Sequence, residues 1–129
     1  MRPPRILLVE DEYATGEAIT FLLELHGFQV TAVSNGREAL ESLGGDLPDL
    51  ILSDVMMPEM DGLEMVRRIR ERPDCREIPV VVMSAAHHLL ASDLPVQVLL
   101  FKPLEFSQLL EVVRELTREA GRGETEQRS

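Results

Sequence analysis

The chain has 129 residues, the size of about one domain, and its 44% hydrophobic against 28% charged content suffices for a core. Its 23 acidic and 13 basic side chains leave a formal net charge of -10. That balance excludes affinity built on neutralising nucleic-acid phosphates or on an anionic membrane surface. A single cysteine, Cys75, excludes an internal disulfide and a cysteine-built metal site. No apolar run nears the ~18 residues needed to span a bilayer. The lead Met1-Arg2-Pro3-Pro4-Arg5 has no signal-peptide core, so the expected location is cytoplasmic. Among the cations, Lys102 is the only lysine; the rest are arginine.

Ile6-Leu7-Leu8-Val9 is a continuous apolar run, suited to a strand buried on both faces, and it ends abruptly in Glu10-Asp11-Glu12. From Tyr13 to His26 the apolar positions Ala14, Ala18, Phe21, Leu22 and Leu25 recur at helical spacing, and Gly27 stops the predicted helix. Residues 28–33 alternate like a second strand. Ser34-Asn35-Gly36 then turns the chain into a helix through Leu40 and Leu43, closed by Gly44-Gly45. Residues 49–53 read as a third strand ending at Asp54. The stretch 55–60 reads as loop, because Pro58 removes a donor and biases Met57 away from helix. Asp61 suits the N-cap of a helix carrying Leu63, Val66 and Ile69, which Pro73 ends.

Residues 79–83 form the fourth predicted strand, ending at Ser84. A weak helical segment at 87–93 and a fifth strand at 96–101 follow, and Lys102-Pro103 ends that strand. Residues 104–120 make an amphipathic helix with Leu109, Leu110, Val113 and Leu116 on one face. The polar residues 121–129 read as a disordered tail, which leaves one domain over residues 1–120. Apolar strands alternating with helices imply a parallel sheet covered on both faces.

In open parallel α/β sheets ligands sit beyond the carboxyl ends of the strands. Those ends here deliver Glu10 and Asp11, Asp54, Ser84 and Lys102, whereas the second strand offers only Ser34. Clustered carboxylates repel and so bind protons or a cation. Hard oxygen ligands suit Mg²⁺, which takes one or two carboxylates and leaves room for a phosphoryl group. Such an ion, with Lys102, would neutralise a phosphoryl group passing to a nucleophilic aspartate.

At this point the sequence resembles the receiver domains of two-component response regulators, over about residues 5 to 118. The resemblance rests on ILLVEDE at 6–12, the DxxMPxMDG pattern from Asp54 to Gly62, Ser84-Ala85 and Lys102-Pro103. It implies a flavodoxin-like, doubly wound (βα)5 fold with strand order 2-1-3-4-5, here with a shortened fourth helix. It implies that Asp54 accepts phosphate from a histidine kinase or phosphotransfer protein. Asp11, Asp54 and the Met56 backbone carbonyl would hold Mg²⁺, with Glu10 acting through water. Ser84 and Lys102 would each engage a phosphoryl oxygen. It also implies a protein output partner, and no substrate turnover beyond the domain's own phosphorylation and dephosphorylation.

Read singly, several of these residues are plain. Asp54 alone is a strand-end acid, Ser84 alone is structural, and Lys102 alone is a surface lysine; the whole set decides. Glu12 reads as a solvated residue at the first helix start. The adjacent His87 and His88 suggest a metal or phosphodonor site, but an exposed pair is the plainer reading. Cys75 reads as incidental, in a polar loop.

Two features depart from the family. The position three before the lysine, usually aromatic, is Leu99, and Phe101 falls on the opposite strand face. Only 17 residues separate Ser84 from Lys102, which shortens the fourth helix. The chemical site is then intact while the usual readout surface is altered, which predicts a weaker switch or a different signalling surface. The rival readings are an adaptor working without phosphorylation and the receiver fragment of a longer regulator. An aspartyl-phosphate phosphatase of the haloacid dehalogenase type is the enzyme rival. It would need a second Asp two residues after the nucleophile, where this chain has Met56.

Overall fold

The first apolar run becomes β1 (Arg5–Val9) in a computed structural model that describes residues 2–54, 62–84, 98–101 and 105–128. Within that set, side chains are described except at 62, 63, 98, 99, 101 and 119–128. β1 lies between β2 (Gln29–Val33) and β3 (Leu50–Asp54), with β4 (Val80–Ser84) and β5 (Val98–Phe101) beyond. All four pairings are parallel and the order is β2-β1-β3-β4-β5, as the resemblance implied. Four helices are described: α1 (Tyr13–Leu25), α2 (Gly36–Ser42), α3 (Gly62–Glu71) and α4 (Phe106–Arg128).

Alternate residues of the strands feed two cores. Leu7, Val9, Ile51, Val80 and Val82 pack with Ala39, Leu43, Met65, Val66 and Ile69 from α2 and α3. Ile6, Leu8, Leu50, Leu52, Val81 and Met83 pack with Ile19 and Leu23 of α1 and Leu109 and Val113 of α4. β1, β3 and β4 are therefore covered on both faces, which is why they read as unbroken apolar runs. β2 is an edge strand, and its residues are only partly buried or exposed.

The helix ends follow local chemistry. Gly27, at φ 93°, holds the left-handed conformation just past α1 that a glycine adopts without penalty. Its N–H donates to the Glu24 carbonyl at 3.1 Å, and the Phe28 N–H donates to the Leu23 carbonyl at 3.1 Å. Leu23 and Phe28 also pack in one core, which completes a Schellman stop. At α2 the Asn35 side chain accepts from the Glu38 N–H at 2.8 Å, and the Glu38 carboxylate takes both the N–H and hydroxyl of Ser34 at 2.8 Å. Those two donated bonds hold the Glu38 carboxyl below its ordinary value.

Several sequence expectations change. The apolar stripe that marked α1 is not its buried stripe: Ala14, Ala18, Phe21 and Leu25 are exposed, and Gly16, Ile19 and Leu23 face the sheet. The mark was misleading because Gly16 carries no apolar signal and leaves the true core face looking sparse. Cys75 is a core residue and not part of an exposed polar loop. It sits in a short 3-10 turn, Pro73–Cys75, fully buried in the α2–α3 core, where burial pushes its thiol pKa up. Glu12 occupies the N-cap position of α1 but makes no side-chain cap; its carboxylate accepts from the Thr15 hydroxyl. The α4 backbone stays helical to Arg128, past the expected end at Ala120 and through Gly121 and Gly123. The expected segment at 87–93, with His87 and His88, lies outside the described residues.

Candidate functional site

Three strand ends converge. β1 and β3 run side by side with Val9 opposite Ser53, so the residues that follow, Glu10 and Asp54, meet at one rim of the sheet. The Glu10 N–H donates to the Val33 carbonyl at 3.0 Å, which carries the β1–β2 pairing one residue past the strand. β4 and β5 end level, with Ser84 in register with Phe101.

Carboxylate oxygens of Glu10, Asp11 and Asp54 lie within 4.8 Å of one another. Glu10 and Asp54 are each 6% exposed, whereas Asp11 is open to solvent. Three negative groups at this spacing, two of them buried, repel unless protons or a cation intervene. An all-oxygen donor set with one open side fits a small hard cation such as Mg²⁺, which keeps waters for a further ligand. The chemistry of the donors therefore matches the metal that the resemblance implies. Ser84 is wholly buried at the end of β4.

Two positioning features escaped the sequence reading. The Glu10 carboxylate accepts from the Glu12 N–H at 3.2 Å, so the turn into α1 orients it. Gly16 lies against the same side chain: a Cβ there would stand 3.7 Å from the Glu10 Cγ. A glycine inside an otherwise regular helix, ~1 kcal/mol worse than alanine, was the available signal of a close approach. Of the expected site residues, Glu10, Asp11 and Asp54 come together and Ser84 ends the neighbouring strand. Met56 and Lys102, with Leu99's side chain, lie outside the description.

Two arginines away from the rim serve the fold. Arg70 donates to the carbonyls of Cys75, Arg76 and Ile78 at 3.2, 3.0 and 2.8 Å, and burial lowers its guanidinium pKa. Arg72 donates to the Leu40 and Leu43 carbonyls at 3.3 and 3.2 Å, closing the carboxyl end of α2.

A family model described as the response regulator receiver domain matches residues 6–114. The response regulator MprA of Mycolicibacterium vanbaalenii is 36% identical over 120 residues, which is 90% of this chain and 51% of MprA. The chain thus spans about half the length of that relative. The signal receiver domain of a histidine kinase from Syntrophus aciditrophicus superposes with a TM-score of 0.82 at 35% identity, covering 90% of this chain and 91% of that one. The response regulator TrrA of Thermotoga maritima, solved in complex with Mg²⁺ and BeF, gives 0.79 at 30% identity, covering 88% and 98%. Among the described residues, no helix is long and apolar enough to cross a membrane.

Proposed function

Because the chain belongs to the response regulator receiver domain family, we propose that it is a phosphoacceptor signalling module, with Asp54 taking a phosphoryl group from a histidine kinase or phosphotransfer protein. A carboxylate oxygen of Asp54 attacks phosphorus, the P–N bond to the donor histidine breaks, and the imidazole nitrogen keeps the electron pair. The observation that carries this reading is the meeting of Glu10, Asp11 and Asp54 oxygens within 4.8 Å at the carboxyl rim of the sheet.

Asp11, Asp54 and the Met56 backbone carbonyl would hold Mg²⁺, with Glu10, whose carboxylate accepts from the Glu12 N–H, assisting through water. Bound Mg²⁺ supplies the positive charge that lets an anionic phosphoryl group approach an anionic acceptor. Lys102 pairs with one phosphoryl oxygen and the Ser84 hydroxyl donates to another. A compact ammonium suits that role better than a planar guanidinium, which fits a lone lysine in a chain otherwise rich in arginine. The added charge of about -1.5 to -2 then shifts the population of two conformations, and a protein partner reads the shift. The module turns over no metabolite, works in the cytoplasm, and comprises residues 1–120 with 121–129 outside its packed unit.

Incubation with acetyl phosphate and Mg²⁺ tests the reading. The intact mass rises by one phosphoryl group in the wild type and not in Asp54→Asn. Equal labelling of both would refute the assignment.

A further inference from the structure

α1 carries a buried glycine that the helix itself does not call for. Glycine is less favourable than alanine inside a helix, and Gly16 lies within α1, past its start at Tyr13. Backbone conformation does not explain it, because Gly27 is the glycine with a positive φ among the described residues. Crowding between helix and sheet does not explain it either. Outside its own helix, a Cβ built on Gly16 would meet only Glu10 among the described residues, with the Cγ at 3.7 Å and the Cβ at 3.9 Å. Those are ordinary contact distances, so alanine would fit beside Glu10 as it stands. The open space is therefore larger than the resting position of Glu10 requires.

The same turn of α1 holds Glu10 at its tip. The Glu12 N–H donates to the Glu10 carboxylate at 3.2 Å, and the Glu12 carbonyl accepts the Gly16 N–H at 2.9 Å. Glu10 is 6% exposed, and its carboxylate lies within 4.8 Å of those of Asp11 and Asp54. A cation entering between mutually repelling carboxylates draws them toward itself. A buried side chain can follow only where close packing leaves room. Glutamate has one more carbon than aspartate in the stem that must rearrange, and Gly16 lies against that stem.

We propose that Gly16 is a positioning residue for the cation: it keeps open the space through which the Glu10 stem shifts when Mg²⁺ enters the rim. The inference rests on the rim reading of Glu10, Asp11 and Asp54, and adds to it a residue with no ligand atom of its own. Alanine at this position favours the helix but crowds the stem. Valine, with methyls in two of the three staggered positions about its Cα–Cβ bond, blocks it.

Calorimetric titration of the whole chain with Mg²⁺, without any phosphoryl donor, tests the proposal. Gly16→Ala raises the metal-free Tm yet weakens Mg²⁺ binding about threefold, and Gly16→Val weakens it at least about tenfold. Ala18→Val places the same side chain on an exposed position of α1 and alters affinity less than about twofold. Rescue separates positioning from a merely structural role. In the Glu10→Asp background, where the side chain is one carbon shorter, Gly16→Ala and Gly16→Val each alter affinity less than about twofold relative to Glu10→Asp alone. Gly16→Ala, which the helix favours, carries the comparison if the valine variant does not fold. Unchanged affinity in the Gly16 variants, or equal loss in both backgrounds, would overturn the proposal and leave the rim reading standing. Absence of Mg²⁺ binding in the wild type would overturn both.

Discussion

The two ends of the sheet use charge in opposite ways. At the amino end, acids and arginines meet in pairs: Arg2 places its two terminal nitrogens on the Asp49 carboxylate at 3.0 and 3.2 Å, and Arg5 meets Asp46 at 3.3 Å. Asp49 also accepts the Arg5 N–H at 2.8 Å, and its own N–H donates to the Arg5 carbonyl, so it staples β1 to the start of β3. At the carboxyl end three carboxylates crowd into one 4.8 Å space, two of them buried. Charge at the first end is paired between neighbouring segments of the fold; at the second, like charges are gathered where a cation could bind.

That contrast can be broken experimentally. The largest effect expected is from metal. Mg²⁺ at one hundred times its Kd should stabilise the wild type by about 2.7 kcal/mol, read as a rise in Tm. Asp11→Asn should lose most of that rise, whereas Asp49→Ala should keep it in full. A rise of equal size in Asp11→Asn would remove the rim from the account.

Without metal the ends should respond with opposite sign. Asp49→Ala strips an acceptor from a part-buried N–H and should destabilise by about 1–3 kcal/mol in urea unfolding. Asp54→Asn removes one of the three crowded charges and should stabilise the metal-free chain by about 1 kcal/mol. Destabilisation by both variants would erase the distinction between the ends.

The smallest effect concerns Glu38, at the β2–α2 junction beside the rim. Its carboxyl is held below the ordinary 4.5 by the donors of Ser34. A depressed acid contributes stability above its unfolded pKa and loses it as pH falls through the folded one. Glu38→Gln should therefore flatten the decline in Tm just below pH 4.5 and change little near neutrality. An unchanged acid limb would show that this cap carries no linkage.

Much of this was legible in the residues. Largely apolar runs at 6–9, 49–53 and 79–83 announced strands covered on both faces, and the polar residues Glu10, Asp54 and Ser84 that follow them named the rim. Asp54, Glu10 and Asp11 were visible because β-strands of similar length, aligned in parallel, must bring their ends together. The buried face of α1 was hidden because helical spacing does not say which apolar stripe meets the sheet. Ala14, Ala18, Phe21 and Leu25 form the more regular series, yet the sheet takes Ile19 and Leu23 with Gly16. Cys75 was hidden for a related reason: a short turn between polar residues can still dip into the core, and only the packing of α3 against β4 reveals it.

The central claim is that Asp54 receives the phosphoryl group in a cation-dependent reaction. Peptide mapping of the chain after acetyl phosphate treatment, with Mg²⁺ and with a chelator, tests it most directly. The account predicts one modified residue, Asp54, labelled only when Mg²⁺ is present. Labelling that persists in the chelator, or that falls on another acid while Asp54 stays unmodified, would contradict it.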